Sequence, residues 1–359
     1  MIIVSIIGAT GYVGIELLRL LNSHPEVEIK HLISHGNVGK KLKDIYPQFA
    51  GSKYDRYDLE DYSDVQLSDS DIVFTALPHG ISQDMVADIY KQGVRIIDMS
   101  GDYRYRDIDI YQHWYNTEHK YPELAEKAVY GLVELNREEI KFAEIVANPG
   151  CYVTASLLGI LPLIAKDIID VNSIIIDAKS GVSGAGKSLK QSLLFNETQD
   201  SMKAYNLTTH RHTSEIEYIL NQVYKKNNKE NIVKDKSITD FSLVFTPHLI
   251  PIKRGILATI YLDPVKKIEE NQLINIFEEY YKQEQFIQLL KTNLPEIKYV
   301  VGSNYCHLAV KHDQRTGKII VISVIDNLIK GSAGQAVQNM NVMFSLKENS
   351  GLKTTALYP

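Results

Sequence analysis

The stretch GATGYVG, residues 8–14, follows the apolar run IIVSII at residues 2–7 and opens a segment with apolar residues at helical spacing. In such a strand-turn-helix context, glycines let backbone N–H groups at the helix start approach a pyrophosphate. The spacing is G-x-x-G-x-x-G rather than the usual G-x-G-x-x-G, so the interpretation depends on the context. The stretch predicts a dinucleotide-binding turn, and the alternative is a tight turn without a ligand.

The segments that follow alternate between the periodicities of strands and helices. This alternation predicts an α/β fold of the Rossmann type, with a doubly wound parallel sheet. After residue 151 the strands become longer, which favours a second α+β domain with a mixed sheet. Strands are predicted at 2–7, 27–34, 71–76, 94–99, 144–147, 173–178, 241–246, 255–262 and 318–325, and helices at 14–23, 83–92, 153–164, 214–224, 268–281 and 332–345.

The end of the second predicted strand reads LISHGNVGKK, residues 32–41. An NAD site is expected to place an acidic residue about 20 residues after the glycines, where it binds the ribose hydroxyls. This stretch offers Ser34, His35, Asn37, Lys40 and Lys41 instead, and no acidic residue. It therefore favours NADP, whose 2′-phosphate suits a basic surface; the alternative is an ordinary basic loop.

Composition excludes several other classes of protein. The net charge of −5 gives no basic field for a nucleic acid, and no apolar run is long enough to span a membrane. The first residues, MIIVSIIGAT, lack the features of a signal peptide, and two cysteines cannot form a disulfide framework. We therefore expect a cytoplasmic protein without a nucleic-acid or membrane partner, and no metal site is predicted.

Cys151 lies in NPGCYVTAS, at the junction of a strand, a helix and the two predicted domains. The positive end of a helix dipole favours the thiolate, and backbone N–H groups there can bind an oxyanion. A cysteine is otherwise most often a small buried side chain. The position predicts a catalytic nucleophile, whereas Cys306 is expected to be structural.

A thiol nucleophile needs a base, and THRHTSEIE places two histidines and a glutamate together. His212 and Glu215 are three residues apart, so they share a face at a helix start. His212 is the predicted base and Glu215 its carboxylate partner. The alternative is a capping segment with incidental histidines.

SGVSGAGKS, residues 180–188, contains a full match to the P-loop pattern G-x-x-x-x-G-K-[ST]. A P-loop belongs after a strand of a parallel nucleotide-binding sheet. The parallel pattern lies upstream, with the glycines of residues 8–14. An ATP site is therefore the less favoured interpretation.

Nine motifs in order resemble the aspartate-semialdehyde dehydrogenase-like enzymes, and among them the arginine-pathway reductases that act on N-acetyl-γ-glutamyl phosphate. The resemblance covers essentially the whole chain. The motifs are GATGYVG, LPHG, DMSGDYR, VYGLVELN, NPGCYVTA, SGVSGAGKS, HRHTSEIE, TPHLIPIKRGIL and DNLIKGSAGQAVQN.

The resemblance implies a reaction in which Cys151 attacks an acyl phosphate and the resulting thioester is reduced with NADPH to a semialdehyde. It implies a dinucleotide domain of residues 1–148 and 327–359, a catalytic domain of 149–326, and a homo-oligomer, a dimer or tetramer, formed through the second domain's sheet. Arg104 is the candidate for the phosphate, His210 for a substrate hydrogen bond, and Arg254 for the α-carboxylate or a structural role. The expected cofactor-binding residues are Gly8, Thr10, Gly11, Tyr12, Val13, Gly14, Ser34, His35, Lys40, Leu77, Pro78, Ser183, Gly184, Asn327 and Gly331.

Three alternatives remain open from the sequence. The first is a related reductase of lysine-type biosynthesis, which acts on a carrier-bound aminoadipyl or glutamyl phosphate. The other two alternatives are a P-loop NTPase and a non-enzymatic NADP-binding regulator.

Overall fold

The computed structural model describes residues 1–227 and 242–357. In chain order its strands are β1 (Ile2–Ile7), β2 (Val27–Ile33), β3 (Ile72–Thr75), β4 (Arg95–Asp98), β5 (Val129–Tyr130), β6 (Ile145–Ala147), β7 (Ile175–Gly181), β8 (Lys203–Ala204), β9 (Val244–Ile250), β10 (Ile256–Leu262), β11 (Ile287–Leu289), β12 (Cys306–His312) and β13 (Ile319–Ile325). Its helices are α1 (Tyr12–Asn22), α2 (Leu42–Ile45), α3 (Ser82–Lys91), α4 (Ile108–Tyr115), α5 (Pro122–Lys127), α6 (Val133–Lys141), α7 (Cys151–Ala165), α8 (Phe195–Thr198), α9 (His212–Asn227), α10 (Glu270–Tyr280) and α11 (Gly334–Met343).

The chain forms two compact units, and unit 1 contains Met1–Pro149 and Ser332–Lys353. Its sheet is parallel throughout, in the order β2-β1-β3-β4-β6-β5. Ile7 at the end of β1 is in register with Ile33 of β2 and Thr75 of β3, so the carboxyl ends of these strands share one edge. Ligands of open parallel sheets bind at this edge. The Rossmann-type sheet is confirmed.

Unit 2 contains Gly150–Gly331, and the chain returns to it at Thr354. The sequence had instead placed residues 327–331 and those from 354 onward in the dinucleotide domain. Its sheet runs β11-β12-β13-β10-β7-β9-β8 and is mixed, since β7 and β9 are parallel whereas β10 is antiparallel to both of its neighbours. The predicted second domain with a mixed sheet is confirmed.

Helix α7 is the centre of unit 2. Every residue from Tyr152 to Ile164 is buried, as expected of a helix that is apolar all round. Gly159 lets it lie close to the sheet, because a Cβ there would be 2.7 Å from Ile260 Cδ1. The buried side chains of β10 alternate with half-exposed ones, so the opposite face of the sheet is partly open.

The element boundaries depart from the sequence predictions at several places. The short strands β5, β8 and β11 were not predicted as strands, whereas β12 agrees with the strand-like character of the run around Cys306. The strand predicted at 241–246 begins outside the described residues, and β9 continues past Pro247 to Ile250. Proline lacks the N–H of a ladder bond, but β9 lies beside the two-residue β8, near the edge of the sheet, where proline is tolerated.

No helix in the described part of the chain combines the length and apolar character that a membrane crossing requires.

Candidate active site

Cys151 is the first residue of α7, as the sequence predicted. Gly150 caps the helix in an extended conformation, and Cys151 is outside any disulfide and partly exposed. A long helix whose positive end lies at a thiol favours the thiolate. Cys306 is fully buried, with its Sγ 3.6 Å from Ser323 Oγ, which agrees with a structural role.

Gly331 lies directly against Cys151. A Cβ at Gly331 would be 2.8 Å from Cys151 Cβ and 3.2 Å from its Cα, so the two residues are in contact. Gly331 belongs to a π-helical turn, Ile329–Ala333, which precedes α11. Its N–H donates to the Asp326 carbonyl at 3.0 Å, and this bond holds the turn in place.

A cavity of about 560 Å³ opens beside Cys151 within unit 2. It is lined by Cys151, Tyr152, Ser180, Gly181, Gly184, Ala185, Lys190, Ser192, Leu193, Lys203, Tyr205, Asn206, His210, Arg211, His212 and Leu249. The predicted nucleophile, both predicted histidines and part of the glycine-rich loop therefore line one cavity.

The two histidines have different environments. Burial, and to a smaller extent the neighbouring Arg211 charge, together lower the pKa of His210 to about 4, so His210 is neutral at physiological pH. Its Nδ1 accepts the His212 N–H at 3.2 Å, which leaves the hydrogen of the neutral ring on Nε2. The His212 ring lies 4.8 Å from that of His210 and 6.0 Å from that of Tyr152.

Glu215 is fully buried one turn into α9, and its Oε1 accepts the Gly150 N–H at 3.0 Å. The sequence assigned this carboxylate to His212. The observed bond ties α9 to the cap of the cysteine helix, so Glu215 also fixes the backbone that carries the nucleophile.

The glycine-rich loop does not have P-loop geometry. Strand β7 leads into a 3₁₀ turn, Val182–Ala185, and no α-helix begins at Lys187 and Ser188, as it would in a P-loop. The N–H groups of Val182 and Ser183 donate to the carbonyls of Ile252 and Lys253, and that of Gly186 donates to Ser183. The backbone amides of Ser183 and Gly186 therefore have protein acceptors, and the roles of Ser183 and Gly184 at the cofactor stay predictions.

Asn327 ties this loop to the sheet. Its Oδ1 accepts the Gly255 N–H at 2.7 Å, and its Nδ2 donates to Ser183 Oγ at 3.0 Å. Asn327, itself predicted to bind the cofactor, thus holds Ser183, which was predicted to bind it too.

The two arginines predicted to bind substrate both make bonds to protein groups. Arg254 forms an ion pair with the buried Asp326, with Nε 3.1 Å from Oδ2, which favours the structural alternative. Arg104 is 8% exposed, and its guanidinium donates to the carbonyls of Asn148 at 2.8 Å and Met99 at 3.2 Å. Its role at a phosphate stays a prediction.

In unit 1, two of the three glycines are required by packing. A Cβ at Gly8, whose φ is +85°, would be 2.3 Å from the Ala76 carbonyl oxygen, and one at Gly14 would be 2.4 Å from that of Gly8. Gly11 has a negative φ of −77° and its nearest neighbour at 3.5 Å, so neither strain nor crowding requires it. Gly11 caps α1, a position at which glycine is favoured, and its role at a dinucleotide stays a prediction.

The end of β2 joins the glycine turn through Thr10. Thr10 Oγ1 is 2.7 Å from Ser34 Oγ, while His35 and Lys40 are exposed. Sequence reasoning missed Asp61, whose Oδ2 is 4.0 Å from His35 Nδ1. It was missed because 26 positions separate the two residues in the chain.

The loop after β3 carries Leu77, which packs on the core, and the exposed Pro78. Asp102 holds this loop, since both of its carboxylate oxygens lie 2.9 Å from the Gly80 nitrogen. Burial, with the nearby Asp98 charge, raises the pKa of Asp102 to about 6. Sequence analysis did not single out this residue. The described residues contain no cluster of three or more His, Cys, Asp or Glu suited to a metal.

Comparison with known proteins places the chain in a family. Residues 3–143 match the model of the semialdehyde dehydrogenase NAD binding domain, and 151–327 that of the semialdehyde dehydrogenase dimerisation domain. Relatives from Halothermothrix orenii, 54% identical over all of both chains, and Caldicellulosiruptor bescii, 49% identical over 98% of each, are called N-acetyl-γ-glutamyl-phosphate reductase. The chain belongs to the N-acetyl-γ-glutamyl-phosphate reductase family.

Solved structures agree with this family's fold. Aspartate semialdehyde dehydrogenase II of Vibrio cholerae, complexed with ASA, is 18% identical, with a TM-score of 0.72 over 96% of this chain and 98% of that one. Aspartate semialdehyde dehydrogenase with NADP from Candida albicans is 16% identical, with a TM-score of 0.66 over 97% and 99%. At these identities the likeness establishes the fold alone.

Proposed function

We propose that this protein catalyses the NADPH-dependent reductive dephosphorylation of N-acetyl-L-glutamyl 5-phosphate to N-acetyl-L-glutamate 5-semialdehyde, a step of arginine biosynthesis. The observation that carries the proposal is the partly exposed Cys151 at the start of α7, on a cavity that it shares with His210 and His212. The substrate is inferred from the name of relatives that match the full length of the chain.

His212 takes the thiol proton, and the Cys151 thiolate attacks the acyl carbonyl. The bond between that carbon and the phosphate oxygen then breaks, so phosphate leaves and a thioester remains on Cys151. Backbone N–H groups at the start of α7 stabilise the oxyanion formed during the attack. His210 donates from Nε2 to the substrate. A bound dinucleotide supplies the reducing equivalents that convert the thioester to the aldehyde and free the thiol.

We assign the cofactor to unit 1, at Gly8, Gly11 and Gly14 and the loops after β2 and β3, and we infer that it is NADP. Ser34, His35 and Lys40 at the end of β2 support the 2′-phosphate, and the Candida albicans structure was solved with NADP. Asp61 argues against NADP, because the negative charge of its carboxylate near His35 would repel the 2′-phosphate. Unit 2, which matches a dimerisation domain, is assigned to catalysis and to homo-oligomer formation.

The test is the reverse reaction: phosphate-dependent reduction of NADP by N-acetylglutamate 5-semialdehyde. We expect turnover that exceeds the rate with NAD and falls by roughly 10³-fold or more in Cys151→Ser. A carrier-bound aminoadipate semialdehyde is assayed in parallel. Turnover of that substrate alone would favour the lysine-type enzyme, and cofactor binding without any turnover would favour a regulator.

A further inference from the structure

The cavity beside Cys151 is lined by three cationic side chains, two of which are lysines without a carboxylate partner in the described residues. Lys190, Lys203 and Arg211 line it, and no aspartate or glutamate does so within the described residues. Neither Lys190 nor Lys203 forms an ion pair with any carboxylate in the described ranges, 1–227 and 242–357. Lys203 instead donates to the Ser192 carbonyl at 3.2 Å. Nearby Lys179, outside the cavity lining, is paired with Asp177 at 2.7 Å.

Other groups of the cavity supply little competing charge. His210, with a pKa lowered to about 4 by burial, is neutral at pH 7, and burial raises the pKa of Tyr205 to about 12, so Tyr205 stays a phenol. Arg254, the sequence candidate for the α-carboxylate, is paired with Asp326. The positive charge of the cavity therefore comes from Lys190, Lys203 and Arg211.

The lining residues of the cavity differ in their exposure to solvent. Cys151 and Arg211 are partly buried, whereas Lys190 and Lys203 are exposed on the segment that follows the glycine-rich loop. A substrate that brings its reacting carbonyl to Cys151 leaves its other end toward solvent. In an N-acetylglutamyl group, that end carries the α-carboxylate.

We propose that Lys190 and Lys203 bind the α-carboxylate of the substrate and so determine the specificity of the reaction, an inference that rests on the proposed function. The two exposed ammonium groups form charge-assisted hydrogen bonds to the carboxylate of the substrate. A substrate that lacks this carboxylate cannot form them, so it binds more weakly. The pair acts on binding, not on the chemical step, because both lysines belong to the exposed part of the lining whereas Cys151 is partly buried.

The direct test is calorimetric binding of N-acetylglutamate and 4-acetamidobutyrate, which lacks only the α-carboxylate. The variants are Lys190→Met, Lys203→Met and the double variant, with Lys187→Met as a matched control outside the cavity lining. We expect wild type and control to prefer N-acetylglutamate by roughly ten-fold or more, and the double variant to lose this preference. An equal preference in wild type and double variant would overturn the proposal, whether or not the enzyme turns over.

Kinetics gives the second readout. In the reverse reaction, the double variant should raise KM for N-acetylglutamate 5-semialdehyde by roughly 10–100-fold, with kcat and the KM for phosphate within about two-fold. KM for 4-acetamidobutanal should not change, and Lys203→Arg should restore much of the loss. A rise in the phosphate KM instead would assign the lysines to the phosphate. An inactive wild type would count against the proposed function, while the binding test would still decide the role of the lysines.

Discussion

The contact between Gly331 and Cys151 restricts the position of the nucleophile. In Gly331→Ala, the new methyl group would lie 2.8 Å from Cys151 Cβ, so one of the two residues must move. A displacement of about 1 Å at a reacting atom costs roughly 10²-fold in rate. We expect a loss of turnover of that order in the reverse assay and an altered rate of Cys151 alkylation by iodoacetamide. Wild-type rates in both assays would refute the contact as a positioning device.

The two histidines also differ at the scale of single residues. A base accepts a proton only when it is unprotonated, so the rate should rise with pH as His212 loses its proton. We expect His212→Asn to weaken this alkaline-rising limb, and His210→Asn to preserve the limb while raising KM for the aldehyde. The measurement is the pH–rate profile of the two variants. Loss of the limb in His210→Asn but not in His212→Asn would exchange the two roles.

The start of helix α9 depends on the protonation of His210, two residues before the helix begins. His210 Nδ1 accepts the His212 N–H, so protonation of Nδ1 breaks a bond at the start of the helix. Burial lowers the pKa of His210 from 6.5 to about 4, so the unfolded chain binds the proton more tightly than the folded one. The contribution of neutral His210 to the stability of the folded protein is therefore fully present above pH 6.5, and it is lost as the pH falls toward 4.

This linkage predicts a lower free energy of unfolding at pH 4.5 than at pH 7, with His210 contributing at most about 3 kcal/mol. His210→Asn should make the dependence less steep, since asparagine still offers an acceptor at the helix start but does not titrate. Urea unfolding between pH 4.5 and 7.5 gives the comparison. Other groups titrate equally in both proteins, so identical slopes would mean that His210 is not the linked group.

Sequence periodicity located most long elements because their determinants are local. Strand β1 and the glycine turn follow from a few adjacent residues, and Cys151 follows from its Pro-Gly context. Helix α9 begins at His212, two residues before the predicted start, and the His210 ring nitrogen accepts its first N–H. Strand β9 passes Pro247 because the sheet places it beside β8, a long-range pairing that no local pattern carries.

At the scale of the whole molecule, the sequence could name site residues but not their neighbours. Cys151 and Gly331 are 180 positions apart in the chain, and Asn327 and Ser183 are 144 positions apart, so no local sequence pattern predicts either contact. Lys190 and Lys203 look like ordinary surface lysines until the cavity lining is known. Motifs indicated the type of chemistry, whereas the three-dimensional structure shows which residues share the site.

The open face of the unit 2 sheet suggests how the whole molecule associates. Tyr261 of β10 is in register with Ile320 of β13 and Ile175 of β7, and all three are at least partly exposed on this face. Apolar area of this kind in a unit that matches a dimerisation domain predicts that a second copy covers it.

We expect Ile320→Asp to shift the mass measured by light scattering from dimer or tetramer toward monomer, since a charge would be buried without a partner. Phe142→Asp, a similar change at an exposed apolar residue of unit 1, is the control that should leave the mass unchanged. A monomeric wild type at micromolar concentration, or an Ile320→Asp variant that keeps the oligomeric mass, would place the interface elsewhere.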